Sequence, residues 1–78
     1  MEKTFYLQTY NYKYNAWLPV EIIGKYDDKV IKIRTYIFVT EKQPDGTYAK
    51  VFKGTLDTGA FWTHIQEIKD ENARVYTI

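Results

Sequence analysis

The longest β pattern in the chain spans residues 29–56, where two apolar runs flank the tetrapeptide Pro44-Asp45-Gly46-Thr47. Residues 30–40 are dense in β-branched and aromatic side chains, which suit a pleated, half-buried surface. Pro44 presets φ for the second position of a turn, Asp45 tolerates the third, and Gly46 accepts the left-handed conformation that closes it. Residues 48–53 then resume the strand pattern, so the region predicts a long central β-hairpin. Alternation puts Ile31, Ile33, Ile37 and Val39 on a core face. Val30, Tyr36 and Phe38 share the other face with Lys32 and Arg34. That face is expected to be either wet and functional or covered by a partner.

The flanks read as shorter elements. Residues 4–10 predict a first strand with Phe5 and Leu7 on one face and Tyr6 and Tyr10 on the other. Either the chain stays extended and stacks Tyr10, Tyr12 and Tyr14 as a ladder, or the turn-prone Asn11 and Asn15 break it. Pro19 favours extended backbone at Leu18, and residues 20–23 read as a second strand ended by Gly24. Residues 25–28 form a polar turn. Beyond the hairpin, Leu56-Asp57-Thr58-Gly59 reads as a turn and residues 60–62 as a short strand. Thr63 and Gln66 have capping-box spacing, which predicts a helical turn over 64–70 with Ile65 and Ile68 on one face. Residues 74–78 are a last strand expected to close the sheet. The sum is one all-β domain over residues 1–78, with five to six antiparallel strands and one short helical turn before the last.

This order resembles small SH3-like barrels of the Tudor or KOW kind. The resemblance rests on Trp17-Leu18-Pro19-Val20-Glu21-Ile22-Ile23-Gly24, on the hairpin, and on Phe61-Trp62-Thr63-His64-Ile65-Gln66-Glu67-Ile68. It covers residues 15–78 in layout, contains no diagnostic motif, and implies a small barrel. Hairpin arms of about ten residues exceed what such a barrel needs, so they are expected to project from it and expose their edges. Layout carries fold, not function.

Composition narrows the function classes. The chain has no cysteine, so neither a disulfide framework nor a thiolate metal site is available. Eight Tyr, four Phe and two Trp are the substitute, each ring able to bury roughly 150–250 Å². Eleven basic residues against ten acidic ones argue against affinity built on neutralising many phosphates. Residues 1–55 carry nine basic and six acidic side chains, so the hairpin half is only mildly basic. Residues 1–4 lack the apolar stretch of a signal peptide and no run approaches spanning length. The expectation is a cytoplasmic protein without a membrane partner.

Two local patterns carry candidate chemistry. Leu56-Asp57-Thr58-Gly59-Ala60 looks like the active-site signature of aspartic proteases, in which two carboxylates share a proton; retroviral members supply the second by dimerising. Only nineteen residues follow Gly59, too few for the flap and closing segment such enzymes need, and an Asp-Thr-Gly turn is the simpler reading. His64 is the sole histidine, with no cysteine or second histidine to complete a metal site and no nucleophile at a suggestive spacing. A non-enzymatic protein without a cofactor is expected.

The aromatic residues are more numerous than a small core encloses. Exposed Tyr and Trp offer rigid, amphipathic contact area at small entropic cost. The binding candidates are Tyr10, Tyr12, Tyr14, Trp17, Lys32, Arg34, Tyr36 and Trp62. The leading expectation is an accessory or regulatory module that binds a protein partner through the hairpin and the aromatic N-terminal third. Nucleic-acid binding is the alternative, with Lys32, Arg34, Lys50 and Lys53 on phosphates and the aromatic rings stacked on bases. An aromatic cage for a cationic group is a third option. Homodimerisation by strand addition at the hairpin edges is a further expectation.

Overall fold

The computed structural model describes residues 1–78 as seven strands and two single-turn 3-10 helices. The strands are β1 (Glu2–Thr4), β2 (Leu7–Asn11), β3 (Ala16–Lys25), β4 (Val30–Lys42), β5 (Tyr48–Phe61), β6 (Gln66–Glu67) and β7 (Val75–Thr77). All pairings are antiparallel. Five strands make one sheet in the order β5-β4-β3-β2-β6, and β1 pairs with β7 in a second. The all-β expectation holds, and the long β4–β5 hairpin forms one side of the main sheet with β5 at its edge.

The β4–β5 ladder runs from Val30 opposite Phe61 to Lys42 opposite Tyr48. At its tip Gly46 sits at φ +87°, where a side chain would be strained. The Asp45 carboxylate accepts the backbone N–H of Thr47 at 3.0 Å and its hydroxyl at 2.6 Å. The register shifts between Ile37 and Phe38, opposite Gly54 at φ +128°. The arms exceed the predicted length because residues 56–59 are not a turn. They lie in the ladder opposite residues 32–35, where backbone pairing overrides the local turn preference of Asp57 and Gly59. The protein is accordingly elongated, 48 × 24 × 20 Å, with a radius of gyration of 13.3 Å. A compact chain of this length would have about 11.5 Å.

The third strand changes partners at Val20, the one residue in both of its ladders, opposite Leu7 of β2 and Thr35 of β4. Residues 16–20 pair with β2 and residues 20–25 with β4. Pro19 falls in the first half, before the β4 ladder begins, so its missing N–H leaves no gap on that side. Between β2 and β3 the break at Asn11 and Asn15 prevails over a continuous tyrosine ladder. Asn11 Oδ1 accepts the Tyr14 N–H at 3.1 Å, and Asn15 takes φ +52°.

The first predicted strand is divided. Residues 5–6 leave one sheet for the other: the Phe5 N–H donates to the Arg74 carbonyl at 2.8 Å, and the Tyr6 carbonyl accepts from Ile68 N–H at 2.8 Å. Two different partners on consecutive residues end one ladder and start the next. The last strand likewise pairs with β1 rather than closing the main sheet, which leaves β5 and the two-residue β6 at opposite ends. The sheets therefore do not close into a barrel. The expected closing strand, β7, is taken by β1, and the short β6 pairs with β2 alone.

Both faces of the main sheet carry core. Val20, Ile31 and Ile33 are buried on one, with Leu7, Ala60 and Ile65 against them. Phe5, Phe38 and Ile68 are buried on the other, with Tyr36, Phe52, Tyr76 and Ile78. The mixed face of the hairpin is thus covered in part by the β1–β7 layer of the chain itself. Ile65 and Ile68 do not share a helical face: β6 separates them and each enters a different cluster. The short helical turn expected before the last strand is present, though not over 64–70. It is split into 3-10 turns at Trp62–His64 and Glu71–Ala73. The first has no side-chain cap, so Thr63 and Gln66 form no capping box; in the second, Asp70 accepts the Asn72 N–H at 3.0 Å.

Candidate interaction site

The β2–β3 hairpin and the Trp62–His64 turn enclose a hollow of about 280 Å³ lined by Thr9, Tyr10, Tyr12, Trp17, Thr63, His64 and Gln66. Strand pairing sets Tyr10 directly opposite Trp17, with ring centroids 5.6 Å apart and planes at 80°. Tyr12, on the turn, meets Tyr10 edge-on at 5.0 Å and 67°. These are favoured edge-to-face geometries. The Tyr10 hydroxyl donates to Asn15 Oδ1, which ties the ring to the turn. The Thr9 hydroxyl donates to the His64 carbonyl at 3.1 Å and pins the 3-10 turn against β2.

A second cleft of about 260 Å³ opens where β3 and β4 part company beyond Val20. Tyr14, Ala16, Trp17, Leu18, Phe38 and Tyr76 supply its apolar lining. Trp17 belongs to both hollows and is 44% exposed. A rigid, half-exposed indole between two depressions is the feature around which this end of the molecule is arranged.

The other candidates are elsewhere. Arg34 grips the Asp57 carboxylate with Nε at 2.8 Å and Nη2 at 3.0 Å. Cross-strand register places Glu21, Arg34 and Asp57 side by side on one face. The Tyr36 hydroxyl donates to Glu21 Oε1 at 2.5 Å, and Lys3 Nζ lies 3.1 Å from Oε2. The Tyr36 hydrogen bond, with help from Lys3, holds the Glu21 carboxyl below its ordinary range against the opposing effect of burial. The same hydrogen bond, then burial, raises the Tyr36 phenol. Lys32 makes no ion pair. The Trp62 side chain is exposed at the foot of the hairpin, and its backbone N–H donates to the Lys29 carbonyl at 2.9 Å. Of the eight residues, then, Tyr10, Tyr12 and Trp17 converge, Tyr14 flanks them, Lys32, Arg34 and Tyr36 lie on the hairpin face, and Trp62 stands apart.

Sequence reasoning did not find the polar wall of the hollow: Thr9, Thr63, His64 and Gln66. The Thr63-His64-Ile65-Gln66 segment draws notice as a capping box, and only the β2–β6 pairing, Gln8 opposite Gln66, brings it beside the aromatic rings. Asp57 lies mid-strand with a guanidinium as its partner, which lowers its carboxyl. An aspartic-protease pair instead shares a proton between two carboxylates. No group of three or more His, Asp or Glu is placed to hold a metal, and no helix is long and apolar enough to cross a membrane. Comparison with protein families, with curated proteins and with solved structures finds no match.

Proposed function

We propose that the chain is a non-enzymatic interaction module, accessory or regulatory in role, that binds a protein partner through the aromatic surface centred on Trp17. The observation that carries this reading is the shared position of Trp17 between two hollows, with Tyr10, Tyr12 and Tyr14 around it. Aromatic anchors beside pockets are the usual energetic centre of a protein interface. Charge supports a protein over a nucleic acid. Of the four cations available for phosphates, Arg34 is held by Asp57 and Lys53 by Glu41. Lys50 sits over the Tyr76 ring at 5.4 Å, which leaves Lys32 alone without a partner. The hollow has no carboxylate in its lining, so a cage for a cationic group has less support.

Affinity capture with wild-type chain and Trp17→Ala, each with and without nuclease, tests the proposal. The expected result is a protein retained after nuclease treatment and lost with Trp17→Ala, the variant keeping the wild-type circular dichroism. Loss of bound material on nuclease treatment, or binding that falls steeply with salt, would favour the nucleic-acid reading instead. Capture indifferent to Trp17→Ala would overturn the site.

A further inference from the structure

We propose that the free edge of β5 over residues 55–61 pairs antiparallel with the same segment of a second copy, about a twofold axis at Thr58. A long unpaired strand edge is a template for another strand, and soluble proteins guard such edges with shortness, charged side chains (lysine above all), prolines or bulges. The one charge on residues 55–61, Asp57, is neutralised by Arg34 of its own sheet. Residues 21–25 of β3 and 36–42 of β4 also pair on one side only, but the first is interrupted by a register shift at Ile23 and the second ends in Glu41 and Lys42 beside the Tyr76 cleft. The other edges are short or carry lysines. Strand β6 has two residues, and β1 and β7 have three each. Before the bulge at Gly54, β5 carries Lys50 and Lys53. Residues 55–61 contain neither lysine nor proline and no bulge, and they expose Leu56 at 48% and Phe61 at 55%.

The backbone alternation selects the register. The Trp62 N–H donates to the Lys29 carbonyl at 2.9 Å. Hydrogen-bonded pairs recur every second residue of an antiparallel ladder. Residues 56, 58 and 60 therefore turn their N–H and C=O groups toward β4, and Thr55, Asp57, Gly59 and Phe61 turn theirs outward. An axis at Thr58 sets outward residues against outward residues, Thr55 opposite Phe61 and Asp57 opposite Gly59, twice each. The four pairs close about eight backbone hydrogen bonds.

Charge discriminates among neighbouring registers. An axis at Asp57 would set two carboxylates face to face, which is destabilising. An axis at Leu56 would run Gly59 into Lys53, the extra residue of the bulge. With the axis at Thr58 each Asp57 faces a glycine. The two aspartates are diagonal neighbours about 7–8 Å apart, and each is already held by its own Arg34. Lys32, the cation without an ion pair, lies on the strand behind Gly59, so the second copy presents it on the same face as Asp57. Leu56 meets Ala60 on the opposite face and extends the Ile31 and Ile33 cluster across the axis. This edge meets the Trp17 surface only at Tyr14, which also flanks Thr55 and Leu56, and Trp17 itself lies outside it, so Trp17→Ala tests the one and Phe61→Pro the other.

Sedimentation equilibrium on the full chain, with Phe61→Pro and Phe61→Ala, is the test. Phe61 sits at φ −69°, ψ 133°, which proline adopts without strain, and its N–H is one of the outward donors. Proline thus removes two of the intermolecular bonds while leaving the β4 ladder whole; alanine removes only the ring. The expected result is a species of twice 9.3 kDa that grows with concentration, with Phe61→Pro about tenfold or more weaker than Phe61→Ala. A monomer at about 1 mM, where even a dimer of millimolar Kd would be substantially formed, overturns the proposal. Equal effects of the two variants overturn it as well. If Phe61→Pro does not fold, amide exchange on the wild-type chain decides: slowing at residues 55, 57, 59 and 61 with rising concentration supports the pairing, and its absence there refutes it.

Discussion

Replacing Phe5 by alanine should detach the β1–β7 layer from the main sheet. Phe5 is 1% exposed and stands where the chain crosses between the two sheets. Its ring contacts Tyr36 at a centroid distance of 4.7 Å and Tyr76 at 5.6 Å, and it shares a cluster with Phe38 and Ile68. A buried aromatic residue removes roughly 150–250 Å² from water at about 25 cal/mol per Å², an upper bound of about 4–6 kcal/mol. Alanine retains part of that, and Phe→Ala changes in cores cost about 3–5 kcal/mol. A domain of this size has about 4–12 kcal/mol of stability in all. With a urea m-value near 1 kcal/mol/M, the midpoint should fall by about 3–5 M. The control is the next residue: Tyr6 is 61% exposed and contributes a cation–π contact with Arg74 at 5.4 Å, so Tyr6→Ala should cost less than about 1 kcal/mol. Amide exchange adds position, because residues 2–4 and 75–77 should lose protection before residues 31–35. A Phe5→Ala cost below about 1.5 kcal/mol, or uniform loss of protection, would refute this account of how the layers are joined.

Other consequences are as definite. Glu21 titrates below its ordinary range when folded, so the stability it confers is present above the unfolded carboxyl value of about 4.3 and is lost as pH falls through the lower folded value. Urea midpoints of Glu21→Gln should therefore converge on those of wild type in acid and separate above about pH 5, and parallel curves would contradict the Tyr36–Glu21–Lys3 network. Gly46→Ala should destabilise by about 1 kcal/mol, because φ +87° is unfavourable for a side chain although nothing obstructs the space. Gly24, at ordinary φ with Lys32 Cβ at 3.6 Å from an added methyl, should accept alanine nearly unchanged, so equal thermal shifts for the two variants would refute the distinction.

Much of this fold was legible in local residue chemistry. The β-branched run over 30–40 and Pro44-Asp45-Gly46 determine the long hairpin, because strand propensity and positive φ are properties of a few adjacent residues. Asn11 and Asn15 mark the turn that gathers Tyr10, Tyr12 and Trp17 for the same reason. The absence of cysteine and the balance of charge are likewise complete in the sequence. What the residues could not specify alone was partnership. Asp57-Thr58-Gly59 has the composition of a turn, and only the ladder opposite residues 32–35 makes it a strand. Residues 4–10 read as one strand until the bonds to Arg74 and Ile68 divide it, and Ile65 and Ile68 have helical spacing but enter opposite clusters. The pairing of β7 with β1, the open sheet that follows, the cover over Phe38 and the polar wall at Thr63 and His64 all depend on contacts between distant residues. Propensity acts within a few positions, whereas hydrogen-bond satisfaction and burial are settled between segments, and where they conflict in this chain the long-range terms prevail.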